Sequence, residues 1–135
     1  GQILEAYWFE IEALQANARQ TKDSLAALRT HFRLIADFHA QTNFTRGCLM
    51  GNLAIELGGG NDALRAQLEN LFRRWEVAVE AKVAAILPKA STAERRNIAA
   101  SLVDAFEGAV MRAKIERNRG PFDRVEKTLA ARLNG

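Results

Sequence analysis

The chain has 135 residues, 48% of them apolar and 26% charged, with 19 Lys and Arg against 16 Asp and Glu for a formal charge of +3. That length is enough to bury one real core, while no apolar run approaches the roughly 20 residues of a membrane span. One cysteine excludes an internal disulfide framework and predicts a reducing, cytoplasmic setting, and the alternation of positive and negative residues argues against a dedicated polyanion binder.

At the N-terminus, Leu4, Tyr7, Trp8, Ile11 and Leu14 fall on one helical face and predict an amphipathic helix over about residues 1–17. The chain begins without Met and inside this pattern, which predicts that a natural segment precedes it; no signal peptide is visible. The polar stretch "NARQTKD" follows, and Leu25, Leu28, Phe32 and Ile35 predict a second helix from about Asp23 to His39. "QTNFTRG" breaks the pattern. A short helix from about Cys48 to Leu57 comes next, closed by Gly58, Gly59 and Gly60.

Asn61 or Asp62 is placed to cap the following helix, whose stripe of Leu64, Leu68, Leu71, Trp75, Val79, Val83 and Ile86 ends before Pro88. "STAE" is a capping box in which the Ser91 hydroxyl accepts from the Glu94 amide and the Glu94 carboxylate reaches back to Ser91. It opens what the pattern makes the longest helix, about Thr92 to Arg119, near 40 Å at about 1.5 Å per residue. Gly120 and Pro121 stop that helix and start a last one, with Phe122, Val125, Leu129 and Leu133 on one face. With no strand signature and no repeat, the predicted class is all-α with about six helices.

The last two helices carry an additional pattern. Ala105, Ala109 and Ala113 recur every four residues beside Gly108, and small side chains in a row let a second helix approach closely. Together with Phe122, Val125 and Leu129 they predict a homodimer interface in which two helices from each chain form a four-helix bundle. The alternative is that both helices complete the core of a monomer.

Candidate chemistry is sparse. Cys48 falls in the first turn of the short helix, where unpaired amides favour a thiolate, and Arg46 adds positive charge; equally, an isolated cysteine serves as a small buried hydrophobe. Lys114 adjoins the small-residue row and is either a buried amine or a side chain snorkelling to water. His31 and His39 lie two turns apart without companion ligands, so no metal site is predicted. "GGGND" follows a helix and reads as a turn, not a phosphate loop. No catalytic constellation emerges, and neither enzyme activity nor a cofactor is expected. Aromatic residues such as Phe44 and Trp75, with the polar Asn52, could fill a core or line a small-molecule cavity. Cys48, Lys114, Asn52, Phe44 and Trp75 are therefore the candidate effector-binding or redox-sensing residues.

Several of these words resemble one family. "GQILEAYW" is similar to the linker helix that follows the DNA-binding head of TetR-family transcriptional regulators. "GCLMGNLAIEL" resembles the short pocket helix of their C-terminal domains, and "FEGAVMRAKIERNRGPFDRVEKTLAARL" looks like their two dimerising helices. The resemblance implies an effector-binding and dimerisation domain over residues 1–135, whose N-terminal helix-turn-helix is absent from this sequence. It implies a repressor in which a small-molecule effector shifts the linker helix and releases operator DNA, because half-sites about 34 Å apart tolerate little change in head separation. Electrophile-sensing, NemR-like members match at Cys48 and Lys114, although "MGN" after Cys-Leu departs from their pattern. A reading from another class is a stand-alone helical dimer that binds a protein partner and no ligand.

Overall fold

A computed structural model of the chain describes residues 24–48, 52, 60 and 62–133. Four helices lie among them: α1 (Ser24–Ala40), α2 (Asp62–Ile86), α3 (Thr92–Glu116) and α4 (Gly120–Leu133). The predicted N-terminal helix and most of the predicted helix around Cys48–Leu57 lie outside the described residues. Asn52 is helical, and its N–H donates to the Cys48 carbonyl at 2.8 Å.

The helices close on one another as a ring. α3 packs against α2 and α4, and α1 packs against α2 and α4 on the other side. Each contributes the face that its apolar spacing marks: Leu28, Phe32 and Ile35 from α1, Leu71, Trp75, Val79 and Val83 from α2, Leu102, Phe106 and Val110 from α3, and Phe122, Leu129 and Leu133 from α4. Phe106 sits at the hub, its ring centroid 4.8 Å from that of Phe32, 5.2 Å from Phe122 and 5.9 Å from Trp75. His31 and His39 are buried in the same interior. Trp75 Nε1 donates to His31 Nε2 at 3.1 Å, and the His39 ring stacks on Phe122.

Helix ends follow local chemistry. The Glu94 amide donates to Ser91 Oγ at 3.1 Å, the first half of the capping box that opens α3. α3 ends at Glu116, three residues short of the predicted Arg119, and its 25 residues equal those of α2, so it is not the longest helix. The reason is Arg117, which adopts the left-handed conformation and returns its N–H to the Ala113 carbonyl. Asn118 Oδ1 then accepts from the Gly120 amide at 2.8 Å, turning the chain into α4. Glu126 of α4 ties that helix to α1 by accepting from Arg29 at 2.8 Å and from Arg33, while Arg119 pairs with Asp37 at 2.7 Å.

The small-residue row does not present one uniform face. A four-residue step overshoots a full turn by about 40°, so the row winds around α3. Ala105 is exposed, whereas Ala109 and Ala113 are buried by the chain's own helices. Phe122 and Leu129 are likewise buried in the chain's own core, and Val125 is half-buried. Ala113, Phe122 and Leu129 thus contribute to the chain's own interior, while Ala109, although 4% exposed, also borders the space left between α3 and α4. What stays outside is a groove between α3 and α4 of about 340 Å3, with Ala105, Gly108, Met111 and Arg112 on one wall and Arg124, Val125 and Thr128 on the other.

Candidate functional site

The loop that leaves α1 is built to present Gly47 and Cys48. Asn43 and Phe44 both have positive φ, at 52° and 63°, a conformation that costs a non-glycine residue about 1–2 kcal/mol. It is held by the Phe44 N–H donating to the His39 carbonyl at 2.9 Å and by the Phe44 ring packing on Phe122. Arg46 lies over the Phe38 ring, 4.9 Å from its centroid. Gly47 then takes φ 67°, and a β-carbon there would come within 3.2 Å of both Asn52 Nδ2 and Lys114 Cδ. The glycine before the cysteine thus has two physical reasons, backbone conformation and close approach of α3. Gly47→Ala is expected to lose about 1–2 kcal/mol in urea unfolding; unchanged stability would show that the loop accommodates a side chain freely.

Beyond this loop lies a cavity of about 590 Å3, within the range that small-molecule sites occupy. Gly47, Cys48 and Asn52 form one side of it, and Phe72 and Glu76 come from α2. The opposite wall is a single face of α3: Asp104, Glu107, Gly108, Val110, Met111, Lys114 and Ile115. Spacings of three and four residues bring these side chains to the same side of the helix. Met111 and Ile115, 54% and 79% exposed, are apolar residues left at the rim.

The polar groups of the cavity are arranged unevenly. The Cys48 thiol is 4% exposed and is hydrogen-bonded to the Glu107 carboxyl. Burial pushes the Glu107 carboxyl above the usual carboxylate range, an effect that the thiol partly opposes. Among the described residues Glu107 Oε1 is buried without a partner. Glu76 is also raised, by burial first and then by the Asp104 charge, with Arg73 opposing. Asn52 Nδ2 donates to the Arg46 carbonyl at 3.1 Å, which ties the floor of the cavity to the Gly47 loop.

Of the candidate effector residues, the structure brings Cys48, Asn52 and Lys114 to one cavity. Phe44 and Trp75 sit in the core instead, Phe44 against Phe122 and Trp75 against Phe106 with its N–H on His31; both fill space and line none of the cavity. Glu76, Asp104 and Glu107 escaped sequence reasoning because acidic residues on a helix ordinarily read as solvated surface. A signal was present: Glu107 and Lys114 interrupt a stripe with Val103 and Val110 at steps of four, three and four, so charged groups sit on an apolar face. Among the described residues no cluster of His, Cys, Asp and Glu is arranged to hold a metal ion. None of the described helices is long and apolar enough to cross a membrane.

Comparison with known proteins places this geometry. Residues 24–128 match the family described as "Transcriptional regulator LmrA/YxaF-like, C-terminal domain". Over 130 residues, 91% of the chain, the sequence is 29% identical to the HTH-type transcriptional repressor DhaR of Mycobacterium sp. strain GP1 and covers 63% of it. It is 32% identical over 135 residues to the transcriptional regulator AcuR of Cereibacter sphaeroides, covering 93% of this chain and 60% of that protein. The chain therefore spans less than two thirds of the length of either relative. The crystal structure of a regulatory protein TetR from Rhodobacter sphaeroides superposes with a TM-score of 0.87 at 27% identity, over 96% of this chain and 71% of that one.

Proposed function

Because the chain belongs to the TetR-family transcriptional regulators, as a C-terminal domain, we propose that the cavity beside Cys48 and Glu107 is the effector site of a repressor. Occupancy of the cavity shifts the regulator toward the state that releases operator DNA, held by an N-terminal helix-turn-helix. The effector does this by binding the released state more tightly, since equal affinity for both states shifts nothing. The observation that carries the reading is a cavity of about 590 Å3 with an apolar rim and a few converging polar groups.

Two copies of the chain pair through α3 and α4 in a four-helix bundle. Ala105, Gly108 and Val125 line the open groove between these helices and supply small and apolar surface for close approach. Gly108 and Met111 border both this groove and the cavity, so occupancy on one side of α3 bears on packing at the other.

A second reading makes Cys48 an electrophile sensor of the NemR-like kind. The Cys48 thiol is 4% exposed and is hydrogen-bonded to the Glu107 carboxyl, a group that brings no positive charge to support a thiolate. Noncovalent binding is thereby favoured over thiol chemistry.

Gly108→Phe tests the site. A β-carbon at Gly108 meets nothing within 4 Å in the chain itself, and sedimentation of the variant separates filling of the cavity from loss of the proposed pairing, which Gly108 also borders. In thermal-shift measurements, small apolar molecules that raise the melting temperature of the parent chain are expected to lose that effect on Gly108→Phe, while Cys48→Ser keeps it. Equal responses from the parent and Gly108→Phe would remove the cavity from consideration. Loss of response in Cys48→Ser alone would move the assignment to the thiol.

A further inference from the structure

We propose, resting on the reading of this cavity as an effector site, that its natural occupant is a small amphiphile with a protonated amine head, received by Glu107 and followed by an apolar body. The geometry supplies one carboxylate oxygen that the described residues leave unused, beside the Cys48 thiol already bonded to the same carboxyl. Glu107 Oε1 is fully buried, and among the described residues no group donates to it. A buried acceptor without a donor is a standing cost of about 1–3 kcal/mol or more, which folding within the chain does not relieve and an N–H donor from a ligand would.

The surroundings select the charge of that donor. The charged groups among the described lining residues are three carboxyls, Glu76, Asp104 and Glu107, and one ammonium, Lys114. Among the described residues Lys114 forms no ion pair with any of the three. An anionic ligand would add a further negative charge to a wall already crowded with them, as the upward push of Asp104 on Glu76 shows. A cation is drawn to the same wall. Val110, Met111 and Ile115 continue the α3 face and offer the ligand body apolar contact.

The test uses three probes of one shape, hexylamine, hexanol and hexanoate, titrated calorimetrically into the chain and its variants at pH 7. Hexylamine is expected to bind about tenfold or more tighter than either of the others, the weight of one charge-assisted hydrogen bond. Glu107→Gln, which keeps shape and removes charge, is expected to abolish the preference by weakening hexylamine about tenfold more than hexanol. Asp104→Asn, at an exposed position, is expected to weaken hexylamine by a smaller factor and provides a second reading if Glu107→Gln fails to fold.

Hexanoate binding as tightly as hexylamine, or an amine preference that survives both variants, would overturn the proposal. Hexanol binding that Gly108→Phe abolishes, without an amine preference, would overturn the ligand class and leave the cavity as the effector site. If none of the three binds, both readings fall.

Discussion

Lowering the pH from 7.5 to 5 is expected to remove about 4 kcal/mol of folding stability through His31 and His39 alone. Burial, with Lys82 adding repulsion, pushes His31 down to about 3, and burial with Arg46 pushes His39 down to about 4. In the unfolded chain both return to about 6.5. The folded values are depressed, so the unfolded state binds more protons below pH 6.5. The stability is fully present above that pH and is lost as the pH falls toward the folded values. Each unit is worth about 1.4 kcal/mol per histidine, and pH 5 lies about 1.5 units below the unfolded value of both.

The structure explains why neither ring accepts a proton easily. His31 Nε2 already receives the Trp75 N–H, and His39 lies stacked on Phe122 away from water. Urea unfolding across this range measures the slope, and His39→Leu is expected to remove about half of it. A stability unchanged between pH 7.5 and 5 would contradict the burial of both rings. Glu126 belongs to a lower window: its hydrogen bond from Arg33 holds it below the usual carboxylate range despite partial burial, so its contribution fades only as the pH falls through carboxylate values.

Phe106→Ala is expected to cost about 3–5 kcal/mol, the range for truncating a buried aromatic. Phe106 touches rings from three other helices, Phe32 of α1, Trp75 of α2 and Phe122 of α4, so its removal opens a cavity that no single helix can collapse to fill. Against a typical total of about 5–15 kcal/mol, that loss leaves the fold marginal. Denaturant titration of the variant beside Val77→Ala, a truncation at a position 59% exposed, separates the effect from mere loss of apolar surface. A loss below about 1.5 kcal/mol would mean that the rings do not pack as a unit.

The hub and the cavity are related. Phe106 and Glu107 are consecutive, one directed into the ring cluster and the other into the cavity wall. The helix that anchors the core therefore also forms a wall of the cavity, so an occupant proposed there would bear on α3, which packs on α4. A loosened Phe106 is expected to blur that connection before the chain unfolds.

By itself the sequence determined the class and most of the helix limits among the described residues, because apolar periodicity, Ser91, Gly120 and Pro121 act locally. Residues within one helix suffice to mark its face and its ends, and α1, α2 and α4 lie close to where those signals put them. It also singled out Cys48, Asn52 and Lys114, which share a cavity. Tertiary structure alone decided what those faces meet. The winding of the alanine row sends Ala113 inward, while the packing of the helices puts Phe44 and Trp75 in the core and Glu107 beside Cys48. A carboxylate on a helix looks solvated in one dimension, and only the packing of α2, α3 and the Gly47 loop takes its water away.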